Sequence, residues 1–409
     1  MHILIVGGGL GGLSLAQCLR KQGISFEVFE RDEDAASRFQ GWAIAIHGII
    51  DQLTASFPSD MPDLKESTNH LAPLDLPVQM GVYATGRQGR LGVQDTPEYP
   101  IIRAERRRLR DWLSTNIPIQ WNKRVTAISH SDTGVSVSFA DGTSATGDML
   151  IGADGINSVV REHLLSRPSS SLLKLVPLAA IIGEVELSGE QFTRQLSLGH
   201  SMYITAGPNR CFWNFAGLHH ANPDGVSGRH YWMYMENDTE VDKATHWLQT
   251  ATQQEKLDYV LEKVSVLEPK LREIYELTPV EGVRNHPHIW RDLELGKDDL
   301  PAGRVVLMGD AAHAMTPFRG EGGYHSFIDA LALAKTIEYL ERDGNGNDNE
   351  AVREAVAGYN DEMLERGVEA VRNSRNEQGN GKPKTDGKGL KVASAMERLR
   401  PMPEIEVVL

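Results

Sequence analysis

The chain has 409 residues, enough for about two or three domains of roughly 100–200 residues each. Hydrophobic residues make up 40% and charged residues 24%, the composition of a globular protein with a sizeable core. A formal net charge of -14 argues against a nucleic-acid partner, because phosphate binding needs clustered Lys and Arg.

Two cysteines, Cys18 and Cys211, are too few for a disulfide framework or a four-ligand zinc site. Both sit among apolar neighbours and read as buried free thiols. The first apolar run ends in glycines rather than in a small-residue cleavage site, and no run of about 18 apolar residues occurs. A cytoplasmic, reducing compartment without a membrane span is the expectation.

The run His2 to Val6 is short, apolar and closed by glycine, which predicts a buried parallel strand. Leu13 to Gln22 carries apolar positions at helical spacing, and Gly23 ends it. Phe26 to Glu30 reads as a second strand, so the first 30 residues form a βαβ unit. Further on, Leu109 to Leu113 belongs to a helix. Arg124 to His130 and Gly134 to Phe139 read as paired strands, with turn chemistry at Asp141-Gly142. Asp148 to Gly152 is another buried strand. Residues 175–285 hold aromatic-rich runs that predict a mostly antiparallel sheet, interrupted by a helix near Gln254 to Leu267. Val305 to Met308 is a strand ending in a Gly-Asp turn. Helices follow near Tyr324 to Arg342 and Ala351 to Ser374. The polar, Gly/Lys-rich stretch 375–390 reads as mobile.

Gly7, Gly9 and Gly12 occupy the positions of G-x-G-x-x-G. The first permits the tight turn, the second admits a pyrophosphate to the backbone, and the third lets helix and strand pack closely. The helix N-terminus offers free N–H groups and positive dipole to phosphates. Glu30 lies 21 residues after Gly9, where its carboxylate can accept hydrogen bonds from ribose hydroxyls. Arg31 can pack on adenine or pair with a phosphate; a solvated surface Arg is the alternative. Two more glycine turns stand at strand ends: Gly152-Ala153-Asp154-Gly155, running on to Arg161, and Gly309-Asp310-Ala311-Ala312-His313, running on through Pro317, Gly320, Gly322 and Gly323.

Taken together, these three segments resemble the single-component, FAD-dependent aromatic hydroxylases of the para-hydroxybenzoate hydroxylase type, most of all those of fungal secondary metabolism. The resemblance implies an α/β fold: a Rossmann-type FAD-binding domain, an inserted mostly antiparallel β-sheet substrate domain and C-terminal helices. The FAD-binding segments would be 1–70, 101–174 and 291–375. Segments 71–100 and 175–290 would form the substrate domain, and 376–409 a C-terminal tail. Asp310 would contact the ribityl or ribose hydroxyls of FAD. Asp154 and Arg161 would help hold FAD and NADPH. Arg106, in a run of four near-contiguous arginines, would touch the FAD phosphate, although such a run also fits a solvated helix face. Ala43 and Ile44 would line the isoalloxazine ring. Pro317, Gly320, Gly322 and Gly323 would lie over it, with the following helix aimed at the flavin N1–C2=O edge. Tyr324-His325 departs from the Asn that many members carry after the last glycine pair.

The implied chemistry is that NADPH or NADH reduces FAD and a flavin C4a-hydroperoxide gives one oxygen atom from O2 to a small aromatic or polycyclic substrate. No metal is implied. A base or a phenolate-stabilising cation is expected near the substrate. Among His47, Tyr203, Arg210, Tyr231 and Tyr234, we single out His47, Arg210 and Tyr234 as catalytic candidates. Epoxidation or Baeyer–Villiger oxidation on the same fold, and a non-catalytic flavin-containing binding protein, remain the alternative readings. A halogenase is disfavoured, since no Trp-x-Trp segment occurs.

Overall fold

The structure is a computed structural model that describes residues 1–83, 89–376, 398–403, 407 and 409. From residue 377 onward, the stretch read as mobile lies outside the described residues.

A five-stranded parallel sheet forms the first core. Its order is Val305–Leu307, Met149–Gly152, His2–Val6, Ser25–Phe29, Ile119–Gln120. His2–Val6 sits in the middle, which explains why Ile3, Leu4 and Ile5 are wholly buried. The first helix, Leu10–Gln22, starts three residues before the apolar period suggests, because Gly9 is its N-cap and Gly11 and Gly12 form its first turn. Gly23 closes it in the left-handed conformation at φ 72. This helix packs against the long helix Gly322–Arg342. The strands Val125–Ser131 and Gly134–Phe139 pair as predicted, and the Asp141-Gly142 turn leads to a third strand, Ser144–Gly147, that the sequence did not announce.

The second core is built on a seven-stranded sheet: Leu178–Ser188, Ser227–Asn237, Trp213–Ala221, Met202–Ala206, Gln79–Tyr83, Arg90–Gln94, Arg400–Met402. All pairs are antiparallel except Met202–Ala206 with Gln79–Tyr83. The last strand falls in the segment read only as a tail. Three helices, Gly189–Leu198, Gln253–Val264 and Pro269–Glu276, pack with the sheet; only the middle one was legible from the sequence. The other two are shorter, at 10 and 8 residues against 12, so each offers fewer turns over which an apolar spacing can be read.

Strand alternation gives this sheet two different faces. Trp232, Tyr234, Tyr203 and Ala216 join the core with the helical residues Phe192, Val260 and Tyr275. Their neighbours Met233, Phe215 and Trp213 lie on the opposite face with Met235 and Trp290. A two-stranded antiparallel ribbon, Ala43–His47 with Ile101–Glu105, stands between the two cores.

Cys18 is buried, and burial pushes its thiol up to about 12. Cys211 is exposed, against expectation, because it sits in the turn before Trp213 rather than in the strand.

Gly183 faces Trp232 across the sheet, and a Cβ there would overlap the indole ring. Gly183→Ala is therefore expected to cost about 1–3 kcal/mol by overpacking. Thermal unfolding checks this, and the turn at Gly7–Gly12 should be unaffected.

Candidate dinucleotide and substrate cleft

The three glycines of the first turn have separable reasons. Gly7 has φ 116, and a Cβ on it would overlap the Ala153 carbonyl. A Cβ on Gly12 would overlap the Gly7 carbonyl oxygen, so this position sets how closely helix and strand approach. A Cβ on Gly9 would meet nothing within 4 Å. Gly9 thus faces open space at the N-terminus of a helix with no acidic residue in its first turn and no side-chain cap. That space suits an anion.

Glu30 is buried beside this turn. Its Oε2 accepts from the Gly8 N–H at 2.9 Å, and its Oε1 accepts from the Asp32 N–H at 3.1 Å. The Arg110 guanidinium lies 3.4 Å from Oε2 and donates to the Gly8 carbonyl at 2.8 Å. Arg31 is exposed next to it. The arginine run divides by helical position: Arg107 is exposed, Arg108 and Arg106 are half-buried, and Arg110 is buried.

At the second turn, Asp154 spends both oxygens on the helix Val159–Leu165. It accepts from the Ser158 hydroxyl and from the Val159 and Val160 N–H groups. Arg161 is wholly buried and donates to the carbonyls of Ala311 and Ile156 and to Ser169 Oγ. This corrects the expectation that Arg161 touches a cofactor: it clamps the second turn to the third instead.

At the third turn, Gly309 has φ 58, and its N–H donates to Asp329 Oδ2 at 2.7 Å. Asp310 follows. Burial raises its carboxyl pKa, against the opposing pull of His313 and Arg106, yet the side chain is open to solvent. Both hold for a side chain that is ringed by protein yet keeps contact with solvent. Arg106 is close enough to feel Asp310, and its guanidinium makes no hydrogen bond among the described residues.

Behind this turn lies a cluster the sequence reading missed. Asp329 bonds His313 Nε2 at 2.7 Å and Arg366 at 2.7 Å, and Arg366 also meets His325 Nδ1 at 3.0 Å. Burial would raise the Asp329 carboxyl, but His313 and Arg366 hold it far below the usual carboxylate range. Burial would lower His313, but Asp329 raises it above the ordinary imidazole value. His325 falls to about 3 through burial and the neighbouring cations, so it is neutral. Asp329 was findable as a lone acid in the apolar run Phe327-Ile328-Asp329-Ala330-Leu331, where burial demands a partner.

Ala43 and Ile44 are half-buried on the ribbon. A Cβ on Gly323 would overlap Ile44 Cδ1, so Gly323 makes room for the ribbon. Pro317–Arg319 forms a short turn closed by the Gly320 N–H to the Pro317 carbonyl at 2.9 Å, and Gly322 opens the long helix. Across from them, Met202, Ile204, Trp213, Phe215 and Met233 are all half-exposed on one face of the large sheet. Phe318 of the turn reaches that cluster, 5.4 Å from Trp290.

The three catalytic candidates separate. His47 is buried, its Nδ1 lies 3.0 Å from the Tyr99 hydroxyl, and burial, then Arg398, lowers its pKa. Tyr234 points to the helical face, where its hydroxyl donates to Glu236 at 2.8 Å, so it is not at the cleft wall. Tyr203 shares that face and donates to Gln195 at 2.9 Å. Arg210 lies on an exposed turn at φ 57, beyond the Ala206–Trp213 end of its hairpin. Tyr231 belongs instead to the row through Gly217 and Met202 at the other end. Tyr234 and Arg210 are therefore corrected. Alternation favoured Tyr231, its odd-numbered neighbour, which the sequence could not choose without knowing which face was covered.

A family pattern described as FAD binding domain matches residues 89–374, and one described as NAD(P)-binding Rossmann-like domain matches residues 5–57. The chain is 57% identical over 375 residues to the FAD-dependent monooxygenase thnD of Trichoderma harzianum, covering 92% of each. The chain belongs to the FAD-dependent monooxygenases. Among solved structures of this fold, 2,6-dihydroxypyridine-3-hydroxylase from Arthrobacter nicotinovorans matches with TM-score 0.69 at 18% identity, covering 100% of this chain and 99% of that one. Klebsiella pneumoniae HpxO, complexed with FAD and uric acid, matches with TM-score 0.68 at 20% identity, covering 92% of this chain and 87% of that one.

The residues present fit FAD. The open space at Gly9 would suit a pyrophosphate, and Asp310 with Arg106, whose guanidinium has no hydrogen bond among the described residues, offers an acceptor and a donor for the rest of the cofactor. The half-exposed apolar wall stands opposite the ribbon and the 317–323 turn.

Two predictions follow from the turns. Gly9→Val should leave the stability of FAD-free protein nearly unchanged but lower FAD affinity, whereas Gly12→Ala should lower both; flavin titration of the stripped protein together with thermal unfolding separates them. For His313, the folded pKa lies above the unfolded one, so its contribution is complete below about pH 6.5 and fades as pH rises through the folded value. The stability gap between wild type and His313→Asn should accordingly narrow from pH about 6 to about 9, measured as thermal midpoints in matched buffers.

Proposed function

We propose that the chain uses NADPH or NADH, together with O2, to insert one oxygen atom into a small aromatic or polycyclic substrate of fungal secondary metabolism. The observation that carries this reading is the apolar wall. Met202, Ile204, Trp213, Phe215 and Met233 stay half-exposed on a sheet face that no helix covers among the described residues, opposite the ribbon Ala43–His47. An apolar, concave surface with few polar groups is what a flat hydrophobic ligand needs.

FAD would lie with its adenosine end near Glu30, its pyrophosphate over Gly9, its ribityl chain by Asp310 and Arg106, and its ring between Ala43–Ile44 and Pro317–Gly323. When bound, it supplies the redox chemistry and the activation of O2. The chain's own residues do the rest. The N-terminus of the helix Gly322–Arg342, opened by two glycines, would offer its free N–H groups to a cofactor held there and favour negative charge on it. The Asp329 cluster fixes the Gly309 N–H and so the backbone that aims Asp310. The apolar wall and Phe318 exclude water from the reacting region. His47, neutral through its lowered pKa, can accept a proton.

The test follows NAD(P)H consumption and product mass across candidate aromatic substrates. The expected result is reduction of bound FAD by NADPH or NADH, and a product heavier by about 16 mass units, one oxygen atom. Bound FAD that neither cofactor reduces, with any ligand present, would contradict it.

A further inference from the structure

The seven-stranded sheet ends on a strand that comes from the far end of the chain. Arg400–Met402 pairs antiparallel with Arg90–Gln94, placing Arg400 opposite Gly92, Pro401 opposite Leu91 and Met402 opposite Arg90. Proline suits an outermost strand, where one side of the ladder is left unpaired. A Cβ on Gly92 would overlap the Met402 sulfur, so that glycine makes the seat for the methionine.

One buried cation holds this strand. Arg90 is 3% exposed, and no carboxylate pairs with it among the described residues. Its Nη2 and Nε donate to the Pro403 carbonyl at 2.8 and 3.2 Å, and its Nη1 donates to the carbonyls of Leu198 and Ser197 at 2.8 and 3.2 Å. Those two carbonyls close the helix Gly189–Leu198, whose C-terminal end favours a positive charge. Val407 is a second anchor: its N–H donates to Ser197 Oγ at 3.0 Å, and its side chain is buried in the second core. On the other side of the strand, Arg398 places its guanidinium 4.0 Å from the centroid of the half-buried Tyr99 ring. The Tyr99 hydroxyl lies 3.0 Å from Nδ1 of the buried His47. One short segment thus touches a helix end, a sheet edge and the His47 end of the ribbon, opposite the end where Ile44 meets Gly323.

These contacts can be released together. Without Pro403, Arg90 keeps the Leu198 and Ser197 carbonyls, and Arg90–Gln94 keeps its pairing with Gln79–Tyr83. The ladder groups that would be uncovered face water. Arg398 and Arg400 are already exposed and Met402 is half-buried, so the apolar area given up is small. A three-residue strand paired on one side belongs to the least stable part of a fold.

We propose that Arg398–Pro403 is a strap that docks and undocks as a unit, with Arg90 as its clasp, and that docking closes the His47 end of the ribbon to solvent. Undocking opens that end to small molecules. The strap is independent of the chemistry proposed above.

The experiment uses the full-length, FAD-loaded protein and two readouts. Hydrogen exchange followed by mass spectrometry reports the docking of residues 398–403. Diethyl pyrocarbonate modification, mapped by mass spectrometry, reports the access of His47, with the exposed His286 as reference. In wild type, His47 should react at least about tenfold more slowly than His286. Arg90→Gln, which weakens the clasp, and Gly92→Ala, which unseats Met402, should each speed exchange in the strap by about tenfold or more and speed His47 modification with it. Arg398→Ala should speed His47 modification with a smaller effect on exchange. Flavin content and exchange of the strand His2–Val6 equal to wild type show that a variant is folded; should Arg90→Gln fail this, Gly92→Ala and Arg398→Ala carry the test. His47 reacting as fast as His286 in wild type overturns the proposal. So does a strap that exchanges faster in Arg90→Gln or Gly92→Ala while His47 stays as protected as in wild type, or a strap whose exchange neither substitution changes.

Discussion

The close approach of Gly12 to the Gly7 carbonyl is the constraint on which the rest of the molecule depends. With any side chain at residue 12, the helix Leu10–Gln22 would be pushed off the strand His2–Val6. The same contact leaves Gly9 as the helix N-cap facing empty space, so packing and ligand access come from one backbone geometry. The other turns are fastened to this one. A Cβ on Gly7 would strike Ala153 of the second turn, and Arg161 carries the connection on to the Ala311 carbonyl of the third. Three strand ends of one parallel sheet are thereby locked into a single rim, where ligands of such sheets bind.

Charge is then distributed along this rim in a particular way. Buried acids on the far side of the backbone are fully committed: Glu30 to Gly8, Asp32 and Arg110, and Asp329 to Gly309, His313 and Arg366. Each holds a turn of the backbone in place. The acids behind the site have partners close at hand, which leaves Asp310 and Arg106 as the charged groups able to meet a ligand in front of it.

How much of this was legible in the sequence depended on whether the signal was local. The βαβ unit, the three glycine turns and Glu30 were readable because glycine spacing and an acid at a strand end act within one supersecondary unit. The antiparallel sheet was readable from its aromatic runs, but its helix-covered face was not. Alternation alone could not separate Tyr231 from Tyr234, and the choice of Tyr234 went to the covered side. Arg210 was misread for the opposite reason: it lies in sequence beside an aromatic strand, yet the hairpin carries it to an exposed tip. Arg161 looked like a cofactor ligand because its motif neighbours one. The C-terminal strand was invisible, since Arg90 lies 313 residues from Pro403 and the two meet only at the edge of the finished sheet.

The central claim is that one continuous cleft runs from Gly9, past Asp310 and Arg106, to the space between Ala43–Ile44 and the wall of Met202, Phe215 and Met233. A crystal structure of the FAD-loaded protein tests this most directly. The account predicts pyrophosphate density at the Gly9 helix end, a hydroxyl of the cofactor within hydrogen-bond distance of Asp310, and the isoalloxazine ring between the ribbon and the 317–323 turn. A ring bound away from that ribbon, or a pyrophosphate that bypasses Gly9, would contradict it.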